Sequence, residues 1–239
     1  MKVGEILGEA LDYPGTNLRK VVTLGALTIL SFLIIPLFFV VGYLLRVLKA
    51  TIAGFDELPD FDEWGEMFID GLKVLIVTIV YMIIPGILYL GGSYIIGSNP
   101  IAGIILMIIG IIIAVIFGLL WQIAIAHMAF NDKLGAAFQI GKILNIISEI
   151  TWIKYIIWII GVAIIQFGAM SISLLILFII FAPIMVAFGL LALTQLSSLA
   201  GSSMFIVIGI ISALIIYLFV VPYIAIFYYR ALGRLYADR

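Results

Sequence analysis

The sequence predicts an all-α fold, a polytopic transmembrane helical bundle of five or six hydrophobic helices with amphipathic interfacial helices beside them. Three observations predict it. The 239 residues are 66% hydrophobic and only 10% charged, far from the half-apolar, quarter-charged balance of soluble domains. Three blocks contain no Asp, Glu, Lys or Arg: 21–45, the fifty-eight residues between Lys73 and Asp132, and the seventy-five between Lys154 and Arg230. Each exceeds the roughly 20 apolar residues that cross a hydrocarbon core of about 30 Å. None alternates apolar and polar residues, as the strands of an outer-membrane barrel would.

Residues 1–13 come first. Val3, Ile6, Leu7, Ala10 and Leu11 follow i, i+3, i+4, i+7, i+8 spacing, with Lys2, Glu5, Glu9 and Asp12 between them. That pattern predicts a short amphipathic helix on the membrane surface, stopped by Tyr13, Pro14 and Gly15. It lacks the basic start and unbroken apolar core of a secretory leader, so the segment is expected to stay in the mature protein. The first hydrophobic helix spans 21–46, with Pro36 in its middle as a kink or as the break of a re-entrant segment.

An acidic island follows at 54–72, holding seven of the thirteen acidic residues. At 100° per residue, Phe61, Trp64 and Phe68 fall in one arc, while Asp62, Glu63, Glu66 and Asp70 fall opposite. Asp60 is the expected N-cap, with Glu63 three residues later as in a capping box. The pattern predicts a helix lying flat, its aromatics anchored in the interface and its carboxylates in water. Asp62, Glu66 and Asp70 form an i, i+4, i+8 stripe of like charge. The stripe reads either as a solvated face or as a docking surface for a basic partner or a divalent cation.

Hydrophobic helices at 73–97 and 101–129 are joined by the uncharged 98–100. On the second, Gly110, Ala114, Gly118 and Gln122 recur every fourth residue, the spacing of a helix-packing seam. Gln166 and Gln195 read as similar polar glue. Residues 131–150 are a mixed, interfacial segment. Residues 152–196 would extend about 67 Å as one helix, more than twice the core, so a turn is expected near 168–171, giving helices at 152–170 and 172–196. The last helix, 203–230, ends in the basic tail Arg230, Arg234 and Arg239. With six full crossings the Lys and Arg residues divide six against six, which leaves the positive-inside rule undecided. One net crossing by 152–196 would make it nine against three, with 54–72 cytoplasmic in a multi-pass cell-membrane protein.

The chemistry available is narrow. With no cysteine and one histidine, thiolate nucleophiles, disulfides and Cys/His metal sites are excluded, and no cofactor is indicated. A net charge of −1 gives nucleic-acid binding no electrostatic support. Transporters and membrane-embedded enzymes usually carry ionisable groups within their spans; here the candidate is His127, at the end of a helix and read as an interfacial polar residue. Pro85 with Gly86 reads as a kink or as a discontinuous helix of the transporter kind.

The segment 42–73, GYLLRVLKATIAGFDELPDFDEWGEMFIDGLK, resembles a family of uncharacterised archaeal membrane proteins, as do LGAAF at 134–138 and FYYRALGRLY at 227–236. More distantly, IPGILYL at 84–90 and PYIAIFYY at 222–229 are similar to the membrane domain attached to some bacterial glycerophosphodiesterases. The resemblance implies a membrane fold and brings no activity or site residues. The expectation is a non-enzymatic accessory, scaffold or lipid-organising protein, with membrane lipids and a protein docked on the acidic helix as its partners. The alternative is a small channel or carrier for an uncharged or amphiphilic substrate.

Overall fold

The computed structural model describes residues 1–193 and 198–239, and their side chains other than those of 188 and 190–204; Gln195 lies outside the described residues. The fold is helical, and five helices are long and apolar enough to cross a membrane. In order, the α-helices are α1 (Val3–Asp12), α2 (Leu18–Leu30), α3 (Ile35–Ile52), α4 (Trp64–Ile95), α5 (Pro100–Asn131), α6 (Ile140–Ile150), α7 (Trp152–Leu193), α8 (Ser198–Ile215) and α9 (Val221–Ala237). A π-turn, Ile216–Val220, joins α8 to α9, with Pro222 in the first turn of α9.

The expected helix 21–46 is two helices. The chain passes through a 3-10 turn, Ser31–Leu33, and Ile34 then adopts φ 68° and ψ −53°, near the strained γ-turn region that β-branched residues avoid. Pro36 follows within the first turn of α3, where its missing N–H leaves no gap in the helix. The two arms return to one place. Lys20 Nζ, near the start of α2, donates to the Leu58 carbonyl at 2.6 Å, and Tyr43 Oη, on α3, donates to the Pro59 carbonyl at 3.0 Å. The thirteen residues of α2 extend about 20 Å, and α2 and α3 form a helical hairpin in which α3 alone is long enough to span a membrane. Its tip is apolar and exposed: Phe32, Leu33, Ile34 and Ile35.

The acidic segment also differs from expectation. Residues 55–63 are irregular, and the N-cap of α4 is Glu63 in the left-handed region (φ 47°), with no side-chain cap from Asp60. The expected flat helix is instead the first two turns of α4, which continues through Pro85 without a break. Nor is there a turn at 168–171. Helix α7 runs through it, and Ser173 Oγ donates to the Ala169 carbonyl at 2.7 Å. A lone Gly168 weakens a helix by only about 1 kcal/mol, too little to break it.

Glycines set the helix spacing. A Cβ on Gly42 would overlap the Met67 carbonyl, and one on Gly71 would overlap the Phe38 carbonyl. The two contacts are reciprocal, so α3 and α4 run antiparallel with their backbones touching. Helices α4 and α5 repeat the device at Gly92 and Gly103, where a Cβ on Gly92 would lie 2.7 Å from the Gly103 carbonyl oxygen. Gly110 continues that seam, 2.9 Å from the Tyr89 nitrogen by the same measure. The expected four-residue stripe then stops. Gly118 faces open space, Ala114 borders a shallow apolar cleft beside Pro85, and Gln122 is half-buried with its Oε1 unpartnered.

Candidate functional site

The hairpin brings the charged residues of the chain to one end of the bundle. Ion pairs tie the N-terminal ammonium and Lys154 to Asp238, Arg239 to Glu149, and Lys20 to Asp60. Others join Lys49 to both Asp70 and Asp132, and Glu9 and Asp56 to both Arg230 and Arg234. These pairs link the start of α1, the end of α3, the start of α4, the end of α5, the start of α7 and the end of α9 into one layer. All twelve Lys and Arg and all thirteen Asp and Glu lie on segments within it. The connection at the other end, 96–99, carries no charge. The Lys and Arg residues therefore lie on segments at one end of the described bundle, because the first hydrophobic segment turns back.

Arg230 is the centre of the layer. It sits with Arg234 one turn apart on α9, where i, i+4 spacing puts both on one face. Its guanidinium is almost fully buried. One nitrogen donates to the Phe55 carbonyl at 2.6 Å, and the other to Glu9 Oε1 and Asp56 Oδ1, each at 2.6 Å. The plane lies 4.1 Å from the centre of the Tyr13 ring, a cation–π contact strengthened by burial. Burial pushes the Tyr13 hydroxyl up to about 12, and its proton is donated to the Glu57 carbonyl at 2.8 Å. Arg230 Nε is buried without a partner. Beside the guanidinium opens a cleft of 320 Å³ lined by Glu9, Asp12, Tyr13, Thr16, Asp56, Arg230 and Arg234.

A second cleft, of 220 Å³, holds Lys49, Glu66, Ile69, Asp70, Lys73 and Asp132. Lys49 Nζ bridges Asp70 at 2.7 Å and Asp132 at 2.6 Å, and Lys73 Nζ completes Asp70 at 2.8 Å. Arg46 clasps Asp62 and, at 3.3 Å, Glu63. The stripe of Asp62, Glu66 and Asp70 is thus not an unrelieved row of like charge. Asp70 is buried and doubly paired, Asp62 is paired but still exposed, and Glu66 has no ion pair among the described residues. The expected interface anchors pack against a helix. Phe61 stacks on Tyr43 at 4.0 Å, Trp64 meets Phe39 edge-on at 5.3 Å, and Phe68 leans on Phe38 at 5.1 Å. Their shared arc packs against α3, a surface the helical wheel could not name. His127 is buried and shares a hydrogen bond of 2.8 Å with Tyr236 Oη.

Sequence reading misses the Arg230–Glu9–Asp56 cluster and gives Arg230 and Arg234 only as part of a basic tail. The available signal was their one-turn spacing on an apolar helix, facing the acidic side of 1–13.

The layer has a predicted pH response. The Arg230 guanidinium beside Asp56 holds its carboxyl below the ordinary value, Lys49 does the same for Asp132, and Lys154 with the N-terminal ammonium for Asp238. A depressed folded pKa stabilises the fold above the unfolded value of about 3.9 and is lost as pH falls through the folded value. The thermal midpoint in detergent should therefore fall as the pH drops below about pH 4. A midpoint unchanged between about pH 5 and about pH 3 would contradict this assignment.

Comparison with known proteins agrees on the family and is silent on activity. Residues 29–178 match the family described as "Protein of unknown function (DUF4013)". The chain is 28% identical over 205 residues to the uncharacterized protein MJ1189 of Methanocaldococcus jannaschii, covering 83% of this chain and 68% of that one. To the uncharacterized protein MJ0233 of the same organism it is 30% identical over 205 residues, covering 83% and 70%. No solved structure matches. Neither relative bears on the distant likeness to glycerophosphodiesterases. With a family match across the hairpin tip, α3, the acidic segment, α4, α5 and much of α7, the chain belongs to the DUF4013 family, described as of unknown function.

Proposed function

We propose that this protein is a non-enzymatic accessory or scaffold of the cell membrane, with the charged layer as its cytoplasmic working face and lipids as constant partners. The observation that carries the reading is the one-sidedness of the layer. Positive residues concentrate on the cytoplasmic side of membrane proteins, and here the ratio is twelve to none. No Asp, Glu, Lys or Arg lies at mid-membrane in the described helices, where carriers keep the groups that bind and couple their cargo. The exposed acidic rim of Asp60, Asp62, Glu63 and Glu66 is the surface a basic partner would meet.

Native mass spectrometry of the protein taken from its own membranes in mild detergent tests the reading. A retained polypeptide or lipid is expected. A polypeptide should be lost when Asp62→Asn and Glu66→Gln are combined; Asp70 is left intact because it holds Lys49 and Lys73. A bare monomer that catalyses saturable or ion-coupled flux into liposomes would overturn the scaffold in favour of a carrier.

A further inference from the structure

We propose that the cleft beside Arg230 is a binding site for a phospholipid headgroup carrying both a phosphodiester and an ammonium. The phosphodiester would take the place of the Asp56 carboxylate on the Arg230–Arg234 pair, and the ammonium would lie against Asp12. The inference rests on the reading of this layer as the lipid-contacting face.

Four observations carry it. Arg230 is buried at 1% exposure and lines the cleft, and its Nε has no partner. Buried donors are rarely left unmatched, and a phosphodiester offers more acceptor oxygens than Asp56 Oδ1, one of the two carboxylate oxygens that both arginines now share. Second, the carboxylate on the pair is easily displaced. The Asp56 side chain is 75% exposed, and ion pairs that open to water contribute little. It can rotate away while the Phe55 carbonyl keeps its bond to Arg230.

Third, charge selects the ligand. The cleft holds Glu9, Asp12 and Asp56 against Arg230 and Arg234, a net charge of −1. A diester brings to the arginines the same single charge that Asp56 withdraws when it rotates out to water, whereas dianionic free phosphate would bring a second negative charge beside Glu9. Asp12 has no ion pair among the described residues and supplies the counter-charge for an ammonium. Fourth, the cleft lies at the charged end of Phe205–Ala237, a stretch long and apolar enough to cross a membrane. Guanidinium forks match phosphate geometry.

The test is a titration of the purified full chain in detergent with short-chain phosphatidylethanolamine, phosphatidylglycerol and inorganic phosphate, read by native mass spectrometry. Phosphatidylethanolamine should bind most tightly and inorganic phosphate least. Asp56→Asn should tighten phosphatidylethanolamine severalfold by removing the internal competitor. Asp12→Asn should erase its advantage over phosphatidylglycerol, and Arg234→Gln should weaken both by about tenfold, the loss of one charge-assisted bond. Unchanged or weaker binding by Asp56→Asn would overturn the displacement. Inorganic phosphate binding as well as lipid would overturn the lipid source. Flux into liposomes would sink the scaffold reading and leave these affinities untouched, so the two can fail separately.

Discussion

Gly42→Leu should yield no monodisperse protein. Position 42 touches the Met67 carbonyl of α4, and the same contact recurs in reverse between Gly71 and the Phe38 carbonyl. Because backbone lies on both sides of this seam, no flexible side chain can move to admit a branched one. The helices would have to separate, losing the Tyr43–Phe61 stack and the Phe68 contacts with Phe38 and Phe39. Ordinary overpacking costs about 1–3 kcal/mol, and separating an entire helix seam should exceed that. Gly118→Ala is the control. Nothing lies within 4 Å of a Cβ there, so its melting midpoint in detergent should match wild type. Equal stability of the two variants would refute the close crossing of α3 and α4.

The second large effect is all-or-none. The chain has no cysteine, so single cysteines at exposed sites report topology against a silent background. Lys2→Cys, Glu57→Cys and Lys133→Cys should all react with a membrane-impermeant maleimide in inside-out vesicles only. Ser98→Cys should react only in right-side-out vesicles, and Leu33→Cys in neither until detergent is added. Lys2 and Glu57 flank the hairpin, so their agreement is the decisive pair. Labelling from opposite sides would mean that 21–46 crosses the membrane.

Why was the hairpin hard to read? Hydropathy measures whether a segment prefers lipid, and a segment that enters and returns prefers it as much as one that crosses. Pro36 was visible, but a proline marks a break without giving its angle. That angle is set by Ile34 at φ 68°, an unusual place for a β-branched residue. Helices α4 and α5 were legible because the uncharged 98–100 contains both signals of a helix start. Asn99 Oδ1 accepts from the Ala102 nitrogen at 3.1 Å, and Pro100 occupies the first turn. The acidic island was legible as an amphipathic pattern but not as the base of a long helix, since a helical wheel gives one face to lipid and to α3 alike. The Arg230 cluster joins residues separated by 174 and 221 positions, and local spacing holds no record of such a meeting.

The one-sided layer also bears on how the chain reaches its place in the membrane. Moving a Lys, Arg or Asp through the centre of a bilayer during insertion costs about 2.5–3.5 kcal/mol. A protein with six cations on each side would face that barrier repeatedly. Here α4 and α5 can enter as a pair led by the neutral tip 96–99, and the first hydrophobic segment dips in behind Ile34 and Ile35. With the proposed topology, no charged residue of the described chain needs to be translocated. Synthesis could proceed with every ion-paired segment waiting on the side where it began, and the membrane potential would do no work on the finished fold.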